Sequence, residues 1–247
     1  MPVPDRFRAA VLYSTLQMLG LFFYSDAKYP GCYTKNLFLA IILRYGLGRL
    51  LYPFRDHESR QIIHHPAFLN IPNPNMTLEA PECGPSGSTM LLKHSGYAED
   101  GVGCHPELRW SMPEGTSPAK EYVLICEDID IPIPFLVIHH GLFWDIPPSA
   151  TTAVPACVEV SPENAKHRRT DAGWRFVPNP LGTSYGGPAP PFGHGHHRYV
   201  FTIVALDAPL DFDNPEKVSK NDIKEAMVGK VIGWGQWVGV YERVWGA

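Results

Sequence analysis

The chain has 247 residues, 45% of them hydrophobic and 19% charged, which supports one sizeable core with room for an extension. A net charge of −4 excludes a global basic footprint for nucleic acid. The 25 prolines and 22 glycines argue against a helical bundle and for short strands joined by turns.

Charge is unevenly placed along the chain. Residues 1–60 carry eight Lys/Arg against four Asp/Glu, and the remainder thirteen against twenty-one. The head is therefore mildly basic and the body acidic. The apolar run Ala9–Tyr24 follows Asp5, Arg6 and Arg8 and contains Gln17, and no small-residue cleavage site follows it. It is predicted as a helix rather than a signal peptide. The run Leu37–Leu51 is broken by Arg44 and Arg49, and its uninterrupted part is too short to span a bilayer. Residues 5–24 and 34–52 are thus expected to form two helices around a turn at Tyr29-Pro30-Gly31. Residues 1–60 form a helical N-terminal extension, and residues 61–247 the main domain. The extension's apolar faces can pack on the body, on each other, or on a second copy as a homodimer. Peripheral contact with a membrane surface is the minor alternative.

From His65 the texture changes to an extended, proline-punctuated stretch. Strand-like runs follow at Met90–Lys93, Tyr122–Glu127, Phe135–Asp145, Val154–Val160 and Arg198–Leu206. Residues 164–176 read as a polar loop. Ser219–Val228 reads as a helix with a Ser-x-x-Asp start, and Lys230–Val244 as a last strand. The fold class is mainly β. Five cysteines with wide spacing and no Cys-x-x-Cys favour reduced thiols in a cytoplasmic protein over a disulfide framework or zinc.

Three segments concentrate functional side chains. In the run Glu127-Asp128-Ile129-Asp130, alternation predicts both aspartates on one face of an extended chain. Buried there, they need donors; a local turn that uses them is the structural alternative. In Ile138-His139-His140-Gly141, adjacent histidines on a strand face opposite ways, so one of them is expected in a given pocket. The stretch Ser184–Tyr199 holds glycines that admit close backbone approach, stiffening prolines, and His194, His196 and His197. His194-x-His196 lacks partner spacing for a zinc site, so no metal is assigned. No Gly-x-Ser-x-Gly elbow, dinucleotide fingerprint or phosphate-binding glycine loop is present, and no cofactor is assigned.

The order of these segments resembles the phosphatidylethanolamine-binding proteins. The resemblance rests on Asp-Ile-Asp-Ile-Pro at 128–132, His140 before Leu-Phe-Trp-Asp-Ile-Pro, and Tyr-Gly-Gly-Pro-Ala-Pro-Pro-Phe-Gly-His-Gly-His-His-Arg-Tyr at 185–199. Pro-Glu-Leu-Arg-Trp at 106–110 and Gly-Trp-Gly-Gln-Trp-Val-Gly-Val-Tyr-Glu-Arg at 233–243 add to it, the latter being similar to fungal members. The similarity runs from about Ile62 to the C-terminus. It implies a β-sandwich with a C-terminal helix and a small cavity near one end. It also implies a ligand set: Asp128, Asp130, His140, Tyr185, Gly187, Pro191 and His197. The expected occupant is a small anionic or amphiphilic molecule. The sequence departs from the family pattern at Ile129 and Ile131 and at Phe192, and Phe143 and Trp144 flank the pocket strand. These departures imply a larger or more apolar ligand. Some fungal relatives take part in natural-product pathways, which gives the alternative expectation of a cofactor-independent cyclase of Diels–Alder type. That enzyme would act on a hydrophobic polyene, with His140, Asp128 and His197 as catalytic residues.

Overall fold

The computed structural model describes the backbone over residues 34–244 and side chains from residue 42. The expected helix at 5–24 lies outside the described residues. The expected second helix is present as α1 (Thr34–Leu51). In chain order there follow β1 (Thr77–Glu79), β2 (Leu108–Ser111), β3 (Glu121–Asp128), β4 (Ile138–Ile146) and β5 (Thr152–Ala153). Next come the short α2 (Pro162–Ala165), β6 (Arg175–Phe176), β7 (His197–Leu206), α3 (Lys220–Ala226) and β8 (Val231–Tyr241).

The strands form two antiparallel sheets, ordered β1-β2-β5 and β6-β4-β3-β7-β8. Every residue of β3 is buried, so the strand reads as a continuous apolar run rather than an alternating one. Its side chains still alternate in destination. Tyr122, Leu124 and Cys126 join a core with Phe201, Ile203 and Trp237 that includes Leu78 and Trp110 of the smaller sheet. Val123 and Ile125 face a second core with Leu142, Trp144, Ile223 of α3 and Trp234. The central sheet is therefore covered on both faces. β7 and β8 pair over ten residues, from His197↔Tyr241 to Leu206↔Val231.

α3 begins where the sequence indicates. The Ser219 hydroxyl accepts from the Asp222 amide, and the Asp222 carboxylate accepts from the Ser219 amide at 2.8 Å, a complete capping box. The helix packs into the second core through buried Ile223.

Two expected strands are absent. Met90–Lys93 runs into a 3₁₀ turn at Leu92–His94, and Val154–Val160 contains another at Pro155–Cys157. Pro155 lacks the N–H a ladder needs and presets φ for a turn. Four short strands were not read from the sequence, β1, β2, β5 and β6. Two to four residues carry too little periodicity, and their partners are distant in the chain.

α1 lies against the body. Gly48 is buried, and a Cβ there would sit 2.1 Å from the Phe192 carbonyl oxygen. Tyr45 meets the Phe192 ring at 5.2 Å. Downstream of α1, Arg198 binds Asp56, Glu58 and Asp130 together. No helix among the described residues is long and apolar enough to cross a membrane.

Candidate functional site

At one end of the central sheet, β3, β4 and β7 bring Asp128, His140, His197 and Tyr199 to a common cavity of about 110 Å³. The register sets this directly, pairing Asp128 with Tyr199 across β3 and β7. A shift between Cys126 and Glu127 in the β3–β4 ladder re-aims the start of β4. Consequently His139 and His140 both line the cavity, where strict alternation would have admitted one.

The proton inventory follows from the hydrogen bonds. The Leu51 carbonyl, at the end of α1, can only accept, so His194 donates to it from Nε2 at 3.0 Å. His194 Nδ1 is then a lone pair, 2.7 Å from His197 Nε2. His197 donates from Nε2 to His194 and from Nδ1 to Asp128 Oδ2, the latter at 2.9 Å. The His197 ring thus bridges His194 and Asp128. Burial pushes His194 down to about 4, consistent with its role as a neutral acceptor. Asp128 Oδ1 accepts in addition from the Asp130 amide at 2.9 Å.

His140 stands apart from this relay. Its Nδ1 donates to the Gly186 carbonyl at 2.7 Å. Burial, the largest influence, lowers its affinity for a second proton despite nearby Asp128. Nε2 is therefore a lone pair, buried without a hydrogen-bond partner and 3.9 Å from Asp128 Oδ2. The Tyr199 hydroxyl is also buried and unpartnered, and the ring meets His140 edge to face at 5.1 Å. The nearby loop amides are spent, because Gly186 N donates to His140 O and Gly187 N to Val102 O. The cavity wall thus holds one buried acceptor, one buried hydroxyl and the His197–Asp128 hydrogen bond. Exposed Val102 and Leu181 line it on the apolar side.

Tyr185, Gly187 and His197 of the expected set line this cavity with Asp128 and His140. Asp130 and Pro191 do not. β3 ends at Asp128, so the alternation expected to hold both aspartates on one face stops there. Asp130 turns away to Arg198 Nε at 2.8 Å and to the Asp56 amide at 3.1 Å. These partners hold its carboxyl far below the usual range against an opposing burial penalty. Phe143, Trp144 and Phe192 do not form an aromatic rim. Phe143 packs in the first core, Trp144 in the second, and Phe192 under Tyr45. No residue of α3 lines the cavity.

Tyr199 and His194 were missed as functional residues. The signal for His194 was present: it lies three residues before His197 in a loop where Gly193 (φ 82°) and Gly195 (φ 86°) take the left-handed conformation. That turn sends His194 inward to His197 and His196 outward to Glu242, so the two do not converge as chelating ligands. Among the described residues no His/Cys/Asp/Glu group is arranged to hold a metal.

A model of the phosphatidylethanolamine-binding protein family matches residues 84–242. The chain belongs to this family. Two fungal relatives, each named phomoidride biosynthesis cluster protein B, are 34% identical. The one from a fungal strain (ATCC 74256) is matched over 83% of this chain and 96% of its own. The one from Talaromyces stipitatus is matched over 88% and 89%. Among solved structures, a phosphatidylethanolamine-binding protein homologue from Chlamydia trachomatis superposes with a TM-score of 0.55 at 26% identity, covering 70% of this chain and all of the other. The Escherichia coli family member YbcL shares the fold, with a TM-score of 0.52 over 69% of this chain and 99% of its own at 22% identity.

Proposed function

We propose that the protein binds the acidic polar end of a small amphiphile in the Asp128–His140–His197 cavity, with the apolar remainder resting on the Val102 and Leu181 side. The observation that carries this reading is the unpartnered His140 Nε2 lone pair beside Asp128. Two acceptors 3.9 Å apart repel a bare anion but receive a group that brings a proton. A phosphate monoester or carboxylic acid does so, and its other oxygens accept from the Tyr199 hydroxyl. The volume of about 110 Å³ suits a head group rather than a whole drug-sized ligand.

Calorimetry with phosphoethanolamine, acetate and octyl phosphate tests this. Octyl phosphate is expected to bind more tightly than inorganic phosphate. His140→Ala should weaken it at least tenfold. Because the complex takes up a proton, affinity should rise as pH falls from 8 to 6, by up to about tenfold per unit. Affinity that rises with pH, or an unaffected His140→Ala variant, overturns the reading.

The fungal relatives favour a second reading, since their names place them in a biosynthesis cluster. In it the protein is a cofactor-independent cyclase acting on a hydrophobic polyene, with cycloaddition as the reaction type. The Tyr199 hydroxyl would polarise a carbonyl, and His140 Nε2, oriented with Asp128 and His197, would serve as base. Such a chain exceeds the cavity and would react at its mouth. Incubation with polyene tetramates decides: stereoselective turnover abolished by His140→Ala supports the cyclase, and head-group binding without turnover excludes it.

A further inference from the structure

Hydrogen bonds connect the Asp128 cavity to the N-terminal extension. Leu51 is the last residue of α1, and its carbonyl has two lone pairs. One accepts from the Phe54 amide at 2.9 Å and the other from His194 Nε2 at 3.0 Å. His194 is buried and does not line the cavity, but its Nδ1 stands 2.7 Å from Nε2 of His197, which does. His197 Nδ1 in turn bonds Asp128 Oδ2 at 2.9 Å. A helix end and a cavity carboxylate are thus joined by two imidazole rings whose four nitrogens are all engaged. An imidazole is rigid and planar, so a displacement at one nitrogen moves the other.

The surfaces that hold α1 in this position fit closely. Besides Gly48 against the Phe192 backbone, a Cβ at Gly193 would sit 2.6 Å from the Tyr45 carbonyl oxygen, and one at Gly195 3.1 Å from the Tyr52 ring. Arg55 donates to the His196 carbonyl on the far side of the same loop. The loop that carries His194 and His197 therefore follows the end of α1. On the cavity side, Asp128 has two donors, the Asp130 amide on Oδ1 at 2.9 Å and His197 on Oδ2. Losing the second leaves the carboxylate less compensated, and it then repels a phosphate more strongly.

We infer that His194 is a positioning residue, which couples the docking of α1 to the Asp128 cavity by holding the His197 ring against Asp128. The coupling to a ligand rests on the reading of that cavity as the binding site. Docked α1 and bound ligand then favour one another, and by reciprocity each strengthens the other by the same factor.

Variants of the full chain test this by two readouts, the His197 ring signals in ¹H–¹⁵N NMR and the rate of tryptic cleavage after Arg49. Gly48→Ala should lift α1 and shift the His197 signals, whereas Gly46→Ala, in open space on the same helix, should leave them in place. In the His194→Phe background, which keeps an aromatic ring and removes both nitrogens, Gly48→Ala should no longer move them. From the other end, His194→Phe alone removes the bond to Leu51 and should speed cleavage about fivefold. Octyl phosphate should bind Gly48→Ala about fivefold more weakly than the wild type. At saturation it should slow cleavage of the wild type but not of His194→Phe. Should His194→Phe fail to fold, Gly48→Ala against Gly46→Ala decides by the His197 signals alone. His197 signals or octyl phosphate affinity unmoved by Gly48→Ala, equal shifts with and without His194, or unchanged cleavage in His194→Phe overturns the inference. A wild-type protein that binds no octyl phosphate overturns the head-group reading instead, and the His197 signals and cleavage rates still decide the coupling of α1 to Asp128.

Discussion

At the scale of single residues, His197 organises the site. It bonds a neutral histidine on one side and Asp128 on the other, so its ring orientation is fixed by its neighbours. ¹⁵N NMR should find His197 Nε2 carrying a proton, since it faces the His194 lone pair. A shift of Nε2 into the unprotonated range would contradict the relay. Asp128→Asn breaks the buried hydrogen bond to the His197 ring and should cost about 1–3 kcal/mol in urea denaturation. The paired aspartates were visible in the sequence, but their division of labour was not. Asp128 and Asp130 differ by two positions, which predicts one face only while the chain remains extended. β3 ends between them, and Arg198, 68 residues away, decides where Asp130 points.

At the scale of elements, the docking of α1 turns on two glycines with opposite surroundings. A Cβ at Gly48 collides with Phe192 backbone, whereas at Gly46 it meets nothing within 4 Å. Gly48→Ala should lift the helix and speed tryptic cleavage after Arg49. Gly46→Ala should protect it by up to about 1 kcal/mol, because alanine loses less backbone entropy in a helix. Equal effects from the two would mean that α1 is not docked as described. The junction after α1 depends on Arg198, which neutralises Asp130 in the interior and ties down Asp56 and Glu58. Arg198→Ala leaves that carboxylate buried and partly unpaired. A loss of about 3 kcal/mol is expected, with new proteolysis at residues 55–60. A change below 0.5 kcal/mol would show the cluster to be solvated and slack. The segment 53–76 thus belongs mechanically to the body, with Ile62 donating to buried Glu127 and Glu127 bound in turn by Lys220.

At the scale of the whole molecule, several ionisable groups are buried in their neutral form. His105 and His194 are pushed down to about 4 and His139 to about 3, all by burial. An unfolded histidine near 6.5 binds a proton that these folded ones refuse, so the unfolded state gains protons as pH falls. Their contribution is fully present above about 6.5 and is lost progressively toward 4. Glu121 acts in the opposite sense. Burial raises it to about 7, so its share is present in acid and lost as pH rises from about 4.5 to 7. Three histidines outweigh one glutamate between pH 6.5 and 4.5. Thermal denaturation should therefore show the melting temperature falling across that interval. A melting temperature that rises on acidification would place the histidines in contact with water.

The four long strands of the central sheet, the capped helix at Ser219 and the family motif of the 185–199 loop were legible in the sequence. These features are local: long buried apolar runs, a four-residue capping pattern, and a contiguous motif. Tertiary structure alone decided the short strands, the outward turn of Asp130, the placement of Phe143, Trp144 and Phe192 in packing rather than at a rim, and the proton inventory of the pocket. Each of these depends on a partner far away in the chain. His140 shows the division best, since its identity was legible but its chemistry was not. Only the Gly186 carbonyl on one nitrogen and the lack of any hydrogen-bond partner on the other, 3.9 Å from Asp128 Oδ2, make it a buried acceptor.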